Sequence, residues 1–227
     1  MADLDQFLNE DSDLRATWQM RPHDVELPFG MGGSARRDDR DSADAAEVAV
    51  GGRTIRLRGL VDRVDWRRDG VPVVLDYKTG RAASQKSFET DPVLGGTKLQ
   101  LGAYATAARQ MFDTTAAAHA YYWYVSDKGK FSRAGYVFGD SQEERFRSAV
   151  STIVAGVESG QFPPQPGEYS MHWGDYENCS FCPFTRLCPQ DRADEFEAAV
   201  LSGRLAEYLD MQNGPQDSDG ESAEVSS

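Results

Sequence analysis

Cysteine is scarce in this 227-residue sequence: there are three, all between Cys179 and Cys188. An odd, tightly clustered set is a poor basis for a disulfide framework and points to a metal or cluster site. Long apolar runs are missing too. No stretch approaches the roughly eighteen consecutive apolar residues that span a bilayer, and the opening MADLDQFLNEDSDL is acidic, without the basic start and apolar run of an export signal. These absences predict a cytoplasmic protein with no membrane partner. A G-x-x-x-x-G-K-[ST] phosphate loop is also absent, which excludes an ATPase of that class.

What is present suits one soluble domain with a sizeable core, since 40% of the residues are hydrophobic and 27% charged. The net charge is -13, but the ends carry it: residues 1–50 contribute -7 and residues 189–227 contribute -8, leaving +2 between them. The middle of the chain is therefore free to follow a phosphate backbone, and the overall acidity does not exclude nucleic acid.

The segment 30–46 is Gly, Ser, Asp and Arg with almost nothing to bury, and 213–227 has the same character, so both read as disordered. Thr54 to Trp66 and Val73 to Tyr77 are rich in β-branched, leucine and aromatic residues and flank Arg67-Arg68-Asp69-Gly70, which predicts a β-hairpin. Leu101, Ala105, Ala108 and Phe112 recur at helical spacing over 97–112, and strands are expected over 120–125 and 131–138. Asp140 with Glu143 opens a second helix that Gly160 stops. Strands, helix, strands, helix make a mixed α/β sheet flanked by helices the natural architecture.

In Val73-Val74-Leu75-Asp76-Tyr77-Lys78 an apolar run ends in a charged pair two residues apart, which a strand puts on one face. Asp62 is another acid set among apolar residues in the preceding strand, at a similar distance from the turn. The two carboxylates share a face only if the loop has an odd number of residues, because a one-residue slip reverses a strand. We expect the odd loop, at Arg68 to Gly70 or out to Pro72. Two converging carboxylates repel each other, and a hard cation such as Mg²⁺ relieves this while leaving room for a phosphate oxygen. The alternative is a surface ion pair of Asp76 and Lys78 at a strand end. Gln100 and Tyr104, four apart on the following helix, can both point back at the strand ends. Arg63 with Asp65 reads as a structural ion pair of the hairpin, and Arg81, Lys86, Lys98 and Arg109 as either phosphate contacts or a solvated face.

Cys179, Cys182 and Cys188 stand at spacings of three and six in a loop followed by Pro189. They suit either three ligands of a [4Fe-4S] cluster or, with His172, a Cys₃His zinc site. His23 and His119 read as ordinary surface or sheet residues.

Taken in order, Gly59-Leu60-Val61-Asp62-Arg63-Val64-Asp65, Leu75-Asp76-Tyr77-Lys78-Thr79-Gly80, Gln100-Leu101-Gly102-Ala103-Tyr104 and Cys179-x2-Cys182-x5-Cys188-Pro189 resemble the PD-(D/E)XK nuclease superfamily. The likeness is to its RecB-like and AddB-like exonuclease domains and the related CRISPR adaptation nucleases. It implies a restriction-endonuclease-like mixed sheet over 22–192, with a cysteine cluster at 172–189, an N-terminal helical remnant at 1–21 and a C-terminal helix at 193–212. It further implies a Mg²⁺- or Mn²⁺-dependent deoxyribonuclease of DNA repair or recombination, acting on single strands or duplex ends beside a helicase or other repair subunit. By the resemblance Asp62, Asp76 and the Tyr77 carbonyl hold the metal, Lys78 is the catalytic lysine, and Gln100 and Tyr104 line the DNA side. Glu26 occupies the place of an acid often found in the first strand. The family's N-terminal histidine and upstream first cysteine have no match here, so the chain resembles a member lacking its N-terminal part. Its [4Fe-4S] cluster would then lack a fourth ligand from this chain. The other reading is a weak or inactive nuclease-like module that binds DNA ends or scaffolds a subunit.

Overall fold

The computed structural model describes residues 2–31, 44–180 and 182–214, so most of 30–46 and of 213–227 lies outside the described residues. At their margins Ala46 already belongs to a strand and Asn213 to a helix. The chain forms two compact units, one running to Ser151 and one comprising Thr152–Asn213. No helix among the described residues is long and apolar enough to cross a membrane.

The first unit is built on the expected hairpin, β4 (Gly59–Arg67) and β5 (Pro72–Lys78). Its loop has the odd count: the peptide N–H of Arg67 donates to the Val71 carbonyl at 3.0 Å, leaving Arg68 to Gly70 as the turn. Gly70 takes a left-handed φ of 82°, which a side chain would strain. β1 (Met20–Phe29) pairs antiparallel with β4, β6 (Ala118–Tyr124) parallel with β5, and β7 (Arg133–Phe138) antiparallel with β6, giving the order β1-β4-β5-β6-β7. The parallel step needs a crossover, which carries α2 (Gln85–Thr90) and α3 (Gln100–Met111).

Period two then sorts the side chains. Val73, Leu75 and Tyr77 of β5, with Tyr121 and Trp123 of β6, pack against Phe7, Leu14 and Trp18 of α1 (Ala2–Trp18). Phe7 makes ring contacts at 5.6 Å with Tyr77 and 5.0 Å with Trp123. On the opposite face α3 lies against β5 and β6, burying Leu101, Ala105 and Ala108. Gly102 permits the close approach of α4 (Asp140–Glu158), because a Cβ there would stand 2.5 Å from the Phe146 ring. The result is a mixed α/β architecture, a five-stranded sheet flanked by helices.

Two expectations are corrected, and one element was not foreseen. The run 54–66 is not one strand: it divides at Arg58 into β3 (Arg53–Leu57) and β4. β3 forms a separate two-stranded sheet with β2 (Ala46–Val50) across Gly51 and Gly52, both at positive φ as a tight two-residue turn demands. β4 must start at Gly59, where any Cβ would lie 2.8 Å from the Phe29 ring. The short helix α2 was not expected from the sequence at all. Lastly, the single helix of 193–212 is two, α5 (Arg192–Leu201) and α6 (Ala206–Asn213), parted by Gly203 at φ 73°.

Two glutamine side chains each bond both backbone groups of one strand residue. Gln85 accepts from the Gly135 N–H at 2.9 Å and donates to its carbonyl at 3.0 Å. Gln110 does the same for Glu47, at 2.8 and 2.7 Å. Within the second unit β8 (Tyr169–Ser170) and β9 (Asp175–Tyr176) form a minimal hairpin, and α5 and α6 follow it.

Candidate active site

The recorded register ends at the pair Arg63–Leu75, and Asp62 and Asp76 are the next residue out on each strand, so both fall on one face at the same end of the hairpin, near enough for the charge of Asp62 to act on Asp76. Asp62 Oδ2 accepts the Tyr77 peptide N–H at 2.8 Å, so the carboxylate reaches across the strand pair. Asp76 is 2% exposed, and its buried Oδ2 has no hydrogen-bond partner beyond the ion pair with the Lys78 ammonium. Burial holds the Asp76 carboxyl above the usual carboxylate range; Lys78 opposes this, and the charge of Asp62 adds to it.

Lys78 Nζ also donates to Gln100 Oε1 at 3.2 Å, and Gln100 Nε2 donates to the Tyr104 hydroxyl at 2.9 Å. Gln100 opens α3, so one helical turn carries the chain Lys78–Gln100–Tyr104 across the site. Burial raises the pKa of Tyr104, which Gln100 counters and the charges of Asp76 and Asp62 reinforce. Five of the residues singled out in the sequence, Asp62, Asp76, Lys78, Gln100 and Tyr104, are thus brought together, and the Tyr77 backbone lies among them.

The opposite face of the same strands does different work. Arg63 donates to both oxygens of Asp65 at 2.6 and 2.5 Å, to Asp11 of α1 at 2.6 Å and to the Tyr77 hydroxyl at 3.2 Å. Burial acts to lower the Arg63 pKa, yet the bonds to Asp65 and Tyr77 outweigh it and the net shift is upward. Sequence spacing alone separates Asp62 from Asp65: an odd offset puts them on opposite sides of β4.

Other expected residues stand elsewhere. Glu26 lies across from Asp62, between the pairs Val25–Arg63 and Leu27–Val61, but its φ of 47° breaks the strand alternation and its side chain is exposed. His23 packs between Trp66 and Phe112, at ring distances of 6.2 and 5.0 Å. His119 bonds Arg67 at 3.2 Å, and burial first and then the Arg67 charge push its pKa down. Arg109, expected beside the site, is committed to Glu143 at 2.6 Å. Tyr122 was not singled out, although it neighbours Asp76 on β6 and its ring lies 5.1 Å below the Lys78 ammonium. Only the parallel pairing of β5 with β6, which no local pattern encodes, reveals it.

The donor set fits a hard divalent cation: two carboxylates, one of them with a buried oxygen whose partner is the Lys78 ammonium, beside a backbone carbonyl. The cysteines are different. Among the described residues no three of His, Cys, Asp and Glu are grouped to hold a metal ion. The Cys179–Cys182 turn is closed by its own backbone at 3.0 Å and by Thr185 Oγ1 at 3.2 and 2.8 Å. Arg192 donates to Asp175 at 2.8 Å, and exposed His172 packs edge-on against Trp173 at 4.9 Å. Neither the expected [4Fe-4S] cluster nor the Cys₃His site is supported by this arrangement.

Residues 3–189 match the PD-(D/E)XK nuclease superfamily. The chain belongs to that superfamily. Its mixed sheet flanked by helices is consistent with the restriction-endonuclease-like fold of PD-(D/E)XK proteins. Membership implies a phosphodiester-hydrolysing nuclease with DNA as substrate, in a superfamily whose nucleases usually use Mg²⁺ or Mn²⁺. No curated protein matches the chain. A solved structure, described as "Crystal structure of SSO0001", is similar to it at 16% identity and a TM-score of 0.38, covering 81% of this chain and 67% of its own. A likeness at that level carries no functional argument.

Proposed function

We propose that this PD-(D/E)XK chain is a Mg²⁺-dependent DNA exonuclease of the RecB and AddB kind, working in DNA repair or recombination beside a helicase. The observation that carries the reading is the convergence of Asp62 and Asp76 on one face with Lys78 ion-paired to Asp76. The order and identity of the four sequence motifs support the subfamily and the helicase partnership.

Asp62, Asp76 and the Tyr77 carbonyl would hold the cation, which supplies Lewis acidity toward the phosphate and a more acidic water. The chain's own groups do the rest. Lys78 stabilises negative charge that develops on the phosphate in the transition state, and its ammonium is steered by Gln100 from one side and by the Tyr122 ring from below. Tyr104, buried and kept protonated, fixes the Gln100 amide and so the direction from which Lys78 acts. Asp76 stands where a bound cation would relieve both its burial and its repulsion from Asp62.

The test is release of labelled nucleotides from single-stranded and duplex DNA, with Mg²⁺, Mn²⁺ or chelator, by the parent and by Asp76→Ala. Metal-dependent release that vanishes in the variant is expected. A folded parent that binds DNA and releases nothing overturns the nuclease reading in favour of a scaffold that binds DNA ends. One observation favours that second reading: among the described residues no histidine joins the two acids, His23 being held by Trp66 and Phe112.

A further inference from the structure

The β6–β7 turn is fastened to the strand end that carries Lys78. The Val125 N–H donates to the Lys78 carbonyl at 2.9 Å, and Ser126 Oγ donates to the Thr79 carbonyl at 2.9 Å. A Cβ on buried Gly129 would collide with Tyr124 and stand 3.0 Å from the Gly80 carbonyl, so the turn touches the backbone just past the site. Lys130 and Phe131 follow with φ of 54° and 50°, a left-handed pair that non-glycine residues rarely adopt. Phe131, 4% exposed, anchors the turn in the core.

This strained and pinned turn presents Lys128 and Lys130 to solvent beside exposed Arg81, the neighbour of Gly80. Several other cations of the unit are spent on carboxylates, Arg15 on Asp11, Arg63 on Asp11 and Asp65, Arg67 on Asp69, Arg109 on Glu143 and Arg145 on Asp91, while others such as Lys86, Lys98 and Arg147 are exposed away from this turn. Among the described residues no carboxylate lies within ion-pairing distance of Arg81, Lys128 or Lys130. A chain of net charge -13 repels a polyanion at long range. At this turn three exposed cations stand against one exposed carboxylate, Asp127, so the exposed groups here carry a net positive charge.

We propose that Arg81, Lys128 and Lys130 form a phosphate-tracking rim, which grips the backbone of a DNA strand one or more nucleotides away from the phosphate lying at Asp62 and Asp76. The inference rests on the nuclease reading for the path of the strand. Its chemistry is backbone contact without base readout, so it holds strands of any sequence.

The experiment is fluorescence-anisotropy binding of a labelled single-stranded oligonucleotide to the full chain in chelator, across a salt series. Each lost phosphate contact flattens the slope of log K against log salt by about 0.7 for a single strand. Arg81→Gln/Lys128→Gln/Lys130→Gln is expected to flatten it by about 2. Arg147→Gln, an exposed cation on α4, is the control for net charge. An unchanged slope in the triple variant overturns the rim. So does a control that flattens the slope as much per charge removed, or a parent that does not bind. Thermal melting of each variant checks folding; because all three side chains are exposed, Gly129→Ala, which forces the turn off Gly80, serves as a second perturbation and is expected to weaken binding. Binding in chelator needs no chemistry. A parent that binds with the expected slope loss but never cuts refutes the nuclease and leaves the rim standing, whereas cutting with an unchanged slope refutes the rim alone.

Discussion

Asp65→Ala offers a direct measure of what holds the hairpin to α1. Asp65 is fully buried and takes two hydrogen bonds from Arg63, at 2.6 and 2.5 Å. Removing one partner of a buried ion pair costs about 3–5 kcal/mol, because the other charge stays behind. Arg63 here keeps Asp11 at 2.6 Å and the Tyr77 hydroxyl at 3.2 Å, which places the expected loss at the low end, about 3 kcal/mol. For a chain of this size that is a fall in Tm of roughly 6–12 °C. The companion variant Arg63→Met/Asp65→Val removes both charges. It leaves Asp11 satisfied by Arg15 at 2.8 Å, so most of the loss should return. Urea unfolding followed by circular dichroism reads both. A loss below about 1 kcal/mol in the single variant, or no recovery in the double, would refute the claim that Asp11 and Tyr77 alone leave the buried Arg63 charge under-compensated.

Further predictions follow from the same geometry. Asp76→Asn is expected to abolish cleavage while leaving the protein as stable as the parent, or more so, at pH 7. A folded-state pKa raised by burial makes ionisation oppose folding, so parent stability should fall as pH rises from 3.8 through the raised value, and this slope should be missing from the variant. Asp91 has the opposite sign. Burial would raise its pKa, but Arg145 at 2.9 and 3.0 Å and the Gly95 and Val93 peptide N–H groups prevail and lower it. Its contribution is therefore complete above pH 3.8 and lost as the pH falls below it, and acid titration of Asp91→Asn should lack that component. Gly102→Ala should cost about 1–3 kcal/mol by driving a methyl into the Phe146 ring, with Phe146→Leu restoring part of it; thermal melting would show a neutral effect if α3 simply shifts.

The parts of the fold legible in the sequence are those set by local period and turn chemistry. Arg68 to Gly70 predicted an odd loop, and an odd loop is what brings Asp62 opposite Asp76. What stayed hidden depends on partners far apart in the chain. Arg63 meets Asp11 from 52 residues away, and Glu47 meets Gln110 from 63. Tyr122 reaches the Lys78 ammonium only through a parallel pairing that local patterns do not announce. The division at Arg58 was invisible for another reason: apolar and charged residues alternate up to it, and the Phe29 ring that occupies the space where a Gly59 Cβ would stand comes from a distant strand. The cysteine spacing suggested a metal centre, but spacing constrains only how near the residues can come. It does not set how the loop folds between them, which here is closed by its own backbone and by the Thr185 hydroxyl.

The amides of Gln85 and Gln110 have a consequence for how this protein meets others. A side-chain amide that answers the N–H and the C=O of one strand residue together imitates a single residue of an additional strand. A foreign peptide trying to extend β7 at Gly135, or β2 at Glu47, would have to evict that imitation and lose two hydrogen bonds before making any of its own. Polymerisation by edge-to-edge pairing is discouraged at both places by one side chain each, a safeguard that costs no charge and no proline. Recognition of a partner by strand addition is closed there as well, so a protein docking on these edges must read side chains rather than backbone.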